Sequence, residues 1–181
     1  MRNNNGIYLR MLEPGDIKPL LELKLRNRIF FQPFEPIRDE KHYTLEEQGK
    51  EIGNGISAAQ QGQAYFYGIF LTETDELIGR IALTGVSRGV FQNAYMGYFI
   101  DQAHNGQGYA TSAVSAVVSE AFEELQLHRI QAGVMPKNER SIRVLQKAGF
   151  RQEGLARRYL KINGQWEDHL LFAITKEDIS N

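Results

Sequence analysis

Asn105-Gly106-Gln107-Gly108-Tyr109-Ala110-Thr111 decides the reading of this 181-residue chain. Behind it, Ala110, Ala113, Val114, Val117, Val118, Ala121, Phe122 and Leu125 recur at helical spacing. Phe91 to Asp101 in front and Arg129 to Val134 beyond are β-rich. Strand, glycine loop, helix and strand therefore follow one another directly. Two glycines let backbone approach a ligand closely, and a helix start aims unpaired N–H groups and a positive dipole end at it. That suits a pyrophosphate, although a glycine turn that only starts a helix has the same letters. A Walker A loop is excluded, because it ends in Gly-Lys-Ser/Thr and no lysine lies between Arg88 and Lys137. A dinucleotide fingerprint fits poorly. It needs a small residue where Thr111 stands and an acid beyond the next strand, and residues 128–138 contain none.

Working outward, Ile7 to Met11 reads as a strand, and Asp16 as the cap of a helix running to about Arg28. Phe30-Phe31-Gln32-Pro33-Phe34-Glu35-Pro36 reads as a rigid aromatic loop. Thr44-Leu45-Glu46-Glu47 has the letters of a capping box and opens a second helix. Gly49, Gly53 and Gly55 weaken that helix by up to ~1 kcal/mol each, so it is expected to be short, bent or mobile. Tyr65–Leu71 and Leu77–Thr84 are strands. Downstream, Asn138–Ala148 is a helix with Gly149 as its C′ residue. Strands Ala156–Ile162 and Trp166–Ile174 close the chain through an Asn163-Gly164 hairpin turn. No repeat, linker or low-complexity tract interrupts residues 1–181, so one α+β domain with a mostly antiparallel sheet is expected.

Composition narrows the function classes. A chain of this length buries roughly 70% of its unfolded surface, enough for a core without disulfides or a structural metal. With no cysteine, a disulfide scaffold, a thiolate zinc site, an iron–sulfur cluster and a cysteine nucleophile are excluded. His42, His104, His128 and His169 show no metal-ligand spacing and read as structural or surface residues. No apolar run is long enough for a membrane span, and Met1-Arg2-Asn3-Asn4-Asn5-Gly6 lacks the apolar core of a signal peptide, which points to the cytoplasm. The net charge is −1, yet residues 128–161 carry nine basic against two acidic side chains. That local field suits a phosphate-bearing ligand better than a long nucleic acid; a solvated basic surface is the plainer alternative.

Asn105-x-x-Gly108-x-Ala110 resembles the acyl-CoA loop of the GNAT acetyltransferase superfamily, Gln/Arg-x-x-Gly-x-Gly/Ala, with Asn105 departing from the usual first residue. Asn138-Glu139-Arg140-Ser141 and Val144-Leu145-Gln146-Lys147-Ala148-Gly149-Phe150 resemble the same family's Asn-x-x-Ser…Lys-x-Gly-Phe segment. The stretch from Glu153 to His169 is similar to the ending of the RimJ branch, the ribosomal-protein-alanine N-acetyltransferases.

The resemblance implies a GNAT fold in which Tyr95–Asp101 and Arg129–Val134 splay apart at one end. It implies acetyl-CoA as co-substrate and no metal. The arm of the co-substrate is expected along Phe99, Ile100 and Asp101, and its phosphates at Asn105, Gly106, Gln107, Gly108, Tyr109, Ala110 and Thr111, with Asn138 and Lys147 nearby. The Ser141 hydroxyl is expected to meet the departing thiolate. Glu35, Asp168 and the Tyr98 hydroxyl are candidates for the base that deprotonates the amine. Period two puts Tyr98 on the face opposite Tyr95 and Phe99, so only one set is expected to reach a cleft. The acceptor is expected to be a protein N-terminus such as that of a ribosomal protein, held between Phe30–Pro36 and the 156–174 hairpin. A small amine, a catalytically silent CoA-binding regulator and a nucleotide-binding α/β protein stay open; no membrane and no specific nucleic acid is expected.

Overall fold

Strands β1 (Ile7–Met11), β2 (Tyr65–Leu71), β3 (Leu77–Ser87), β4 (Asn93–Ile100), β5 (Arg129–Val134), β6 (Arg151–Ile162) and β7 (Gln165–Thr175) form one sheet in the computed structural model. The structure describes residues 5–179; the first four residues of the polar N-terminal stretch lie outside the described residues. The order is β1-β2-β3-β4-β5-β7-β6, and every neighbouring pair is antiparallel except β4 with β5. A parallel neighbour needs a crossover, and α4 (Tyr109–Glu123) supplies it. α5 (Glu139–Lys147) follows β5 on the same face. There Val114, Val117 and Ala121 pack with Ile81, Leu83 and Ile130. On the other face α1 (Ile17–Arg26) and α3 (Leu45–Gln60) bring Leu20, Leu23 and Ile52 against Phe70 and Leu77. Each such side chain, fully buried, contributes roughly 1.5–3 kcal/mol. Among the described residues, no helix is long and apolar enough to cross a membrane.

Three local expectations are corrected. The second helix is neither short nor interrupted, for α3 runs 16 residues, capped by Thr44, whose hydroxyl accepts from Glu47 N at 3.3 Å. Two of its three glycines, Gly49 and Gly55, sit where the helix meets its neighbours. A Cβ on Gly55 would stand 3.0 Å from the Phe66 ring, and one on Gly49 3.5 Å from Ile17. Close packing thus offsets the lost helix propensity. The Phe30–Pro36 segment is also helical, as α2 (Arg28–Phe31) and a 3₁₀ turn at Gln32–Phe34, with Pro33 in a first turn where its missing N–H costs nothing. Asp16 does not cap α1 with its side chain; its carboxylate accepts from Arg10 at 2.6 Å and from Glu13 N at 2.9 Å.

Charge pins α3 to the sheet. Glu51 accepts from Lys24 of α1 at 2.6 Å and from Arg80 of β3. Burial alone would raise its pKa, but Arg80 and Lys24 outweigh that and hold it at about 2. At the far edge, Asn163 (φ 44°) and Gly164 (φ 82°) form the two-residue turn of the β6–β7 hairpin. The loop after α2 rests on that turn, with Asn163 N donating to Glu35 O at 2.9 Å.

Candidate active site

The β4–β5 ladder is short. Asn93 pairs with Arg129, Ala94 with Ile130 and Tyr95 with Gln131, and there it ends. Beyond Tyr95, β4 stays with β3 as far as Ile100, while β5 stays with β7 as far as Val134. The strands part, and a cleft of about 580 Å³ opens between Met96–Ile100 and Ala132–Met135. Because the opening passes through the sheet, side chains from both of its faces reach it. Tyr98 lines it from the α5 side, and Phe99 from the other, where its ring lies 5.0 Å from Phe31. The expectation of one contributing face is therefore corrected.

A second groove of about 360 Å³ continues past Ile100, Asn105 and Ala110 to the start of α4. Gly106 and Gly108 have φ of 79° and 82°, and a Cβ on either would meet nothing within 4 Å. Glycine is required there by the backbone, and the space over it is open. The first bond of α4 runs from Ser112 N to Gly108 O at 3.0 Å, so the amides of Tyr109, Ala110 and Thr111 are not spent inside the helix. Arg140, Arg143 and Lys147 line the same groove. Among the described residues, His104 Nδ1 and Asn105 Nδ2 are buried without a hydrogen-bond partner. Open backbone, unspent amides, cationic side chains and two orphaned nitrogens fit an extended phosphate-bearing ligand such as acetyl-CoA.

Gln107 and Asp101 stand apart from the other expected contacts. Gln107 is exposed and lines neither space. Asp101 turns away: its carboxylate accepts from Arg26 Nε at 2.5 Å and Ala103 N at 3.1 Å, and its own N–H donates to Ile78 O at 2.7 Å. Asp101 thus anchors the end of β4 and leaves nothing for a ligand.

Ser141 and Tyr98 meet in the larger cleft, their hydroxyl oxygens 2.7 Å apart. Asn138 sets this up from the N-cap of α5, its side-chain oxygen accepting from Ser141 N at 3.2 Å. Burial pushes the Tyr98 phenol up to about 12, against a smaller downward pull from Ser141. Tyr98 therefore keeps its proton and is a donor, a correction to its reading as a base. When it donates to Ser141 Oγ, the serine hydrogen is free to be given to a third atom.

Glu35 lines the cleft beside Phe30, Phe31 and Phe34, and Arg140 reaches over the Phe30 ring at 5.9 Å. Asp168 does not line it. Its carboxylate accepts from Arg158 N at 2.8 Å, holding a β6 bulge in which Arg158 has φ 50°. That structural duty corrects its candidacy as a base. His169, read from the sequence as structural or surface, is buried and lines the cleft. No local signal in the sequence marks it: Gly133 of β5 faces the ring, but a Cβ there would lie 3.7 Å from the imidazole, an ordinary van der Waals distance.

Comparison with known proteins agrees with this geometry. A family model described as an acetyltransferase (GNAT) domain matches residues 7–151. A probable N-acetyltransferase of Bacillus subtilis, YjcK, is 48% identical over 178 residues, covering 98% of each chain. A [ribosomal protein uS5]-alanine N-acetyltransferase of Escherichia coli is 36% identical, over 95% of this chain and 89% of that one. The structure of Mycobacterium smegmatis RimJ in complex with CoA-disulfide matches with a TM-score of 0.93 and 32% identity, over 99% of this chain and 87% of that one.

Proposed function

The chain belongs to the GNAT acetyltransferase family and is an acetyl-CoA-dependent N-acetyltransferase, and from that premise we propose that its acceptor is the N-terminal α-amine of a protein, such as a ribosomal protein. The observation that carries the reading is the Tyr98–Ser141 hydroxyl pair in the opening between β4 and β5. Acetyl-CoA supplies the acetyl group as a thioester. The groove at Asn105–Thr111, with Lys147, would hold its phosphates, and Phe99, Ile100 and Asn138 would line its arm. Ser141 would give a proton to the departing sulfur while Tyr98 donates to Ser141. What remains for the protein is to hold the thioester and the amine at reacting distance in a ternary complex and keep bulk water out.

Three considerations support an α-amine. An N-terminal amine titrates near ~7.7–8.0 and a lysine near ~10.4, so the former reaches its neutral, nucleophilic form at modest cost. The Phe30, Phe31 and Phe34 wall further disfavours a desolvated ammonium. The relative that acts on a ribosomal-protein alanine is similar over nearly the whole chain, which favours the same acceptor class. The test compares kcat/KM for peptides with free and blocked N-termini, each carrying an internal lysine. Acetylation confined to the free α-amine is the expected result. Equal turnover of blocked peptides, or acetylation of small free amines alone, would contradict the proposal.

A further inference from the structure

We propose that His169 is the base that receives the proton of the acceptor amine, an inference that rests on the acetyl-transfer reading of this cleft. The imidazole is held on three sides. Its Nδ1 lies 3.0 Å from the Glu167 carbonyl, which can only accept, so Nδ1 carries the ring hydrogen. Nε2 is then the lone-pair nitrogen, and among the described residues it has no hydrogen-bond partner. Tyr159 of β6 packs edge-on at 5.7 Å, and Gly133 of β5, having no side chain, leaves room beneath the ring. One tautomer and one orientation result, with the ring lining the cleft from β7, the strand paired to β5.

Other groups at the cleft are less suited. Tyr98 keeps its proton, and Asp168 is spent on the Arg158 amide outside the cleft. Glu35 lies in the loop after α2, and no hydrogen bond among the described residues orients its carboxylate. Lys137 is paired with Glu167 at 2.9 Å and is a donor.

The step balances within the chain and its two substrates. The neutral amine nitrogen forms the C–N bond to the acetyl carbon and becomes cationic, and its surplus proton passes to His169 Nε2. The C–S bond breaks with its electron pair on sulfur, and sulfur takes the Ser141 hydroxyl proton, which water replaces. The imidazolium then returns its proton to water.

The experiment is His169→Ala in the full chain, assayed with acetyl-CoA and a free-N-terminus peptide, with CoA affinity measured separately. The expected result is a loss of about 100-fold in kcat/KM with CoA affinity within about twofold of the parent. Added imidazole should restore turnover in proportion to its concentration, a readout that a purely structural role would not move. Activity within about threefold of the parent, or a loss that imidazole leaves untouched, would overturn the assignment. If His169→Ala does not fold, His169→Gln carries the same test: the same loss with intact CoA binding is expected, and near-parental activity would overturn it. The parent protein run alongside separates the two readings. If it acetylates no peptide, the acceptor proposal fails, and His169 is tested on whichever amine is acetylated.

Discussion

Ser141 and Tyr98 reach each other because Asn138 fixes the first turn of α5 and β4 carries its phenol into the same opening. At this scale the energetics concern where protons reside. With its pKa at about 12, Tyr98 is a neutral donor throughout the working range, and losing it removes a hydrogen bond without removing a charge. Ser141→Ala is therefore expected to lower kcat and kcat/KM together by ~10–100-fold, with CoA affinity unchanged. Steady-state kinetics beside a CoA titration check this; full activity in the alanine variant would return Ser141 to a helix-surface role. The Asn138–Ser141 segment was legible because its motif and its capping chemistry coincide. His169 was not, because a histidine in an alternating strand shows nothing of a cleft formed by the parting of two other strands.

At the scale of elements, short-range rules did well where they agreed with packing and failed where packing overruled them. β1 and β5 lie where their sequences put them, and the Asn163-Gly164 turn closes its hairpin with both residues at positive φ. α3 runs unbroken although Gly49, Gly53 and Gly55 lower its helix propensity, because the Phe66 ring that needs the space at Gly55 lies on a strand formed later in the chain. The Glu51 cluster, equally invisible to local reading, ties α3 to α1 and β3. Removing its carboxylate strands the buried Lys24, so Glu51→Gln should destabilise the fold by roughly 3 kcal/mol at neutral pH. The sign with pH follows from a folded value of about 2 beneath the ordinary 4.5. The contribution is fully present above the ordinary value and is lost as pH falls toward the folded one. Denaturant melts of parent and variant should thus differ most above pH 4.5 and converge as pH approaches 2. A gap that stays constant over that window would contradict the account.

Over the whole molecule, the positive segment seen in the sequence proves to be two different things. Arg140, Arg143 and Lys147 face the groove at the start of α4, while Arg129 and Arg151 are paired with Glu153 on the sheet edge. A linear charge count cannot separate a ligand site from a paired surface; only the crossover that brings α5 beside the start of α4 does. The central claim is that acetyl-CoA lies in the opening between β4 and β5 and over the loop that starts α4. Hydrogen–deuterium exchange with and without CoA tests it most directly. The account predicts slower exchange on CoA addition in peptides spanning residues 96–100 and 105–111, with residues 45–60 of α3 unchanged. Saturating CoA that binds yet leaves 96–100 and 105–111 unprotected would contradict it.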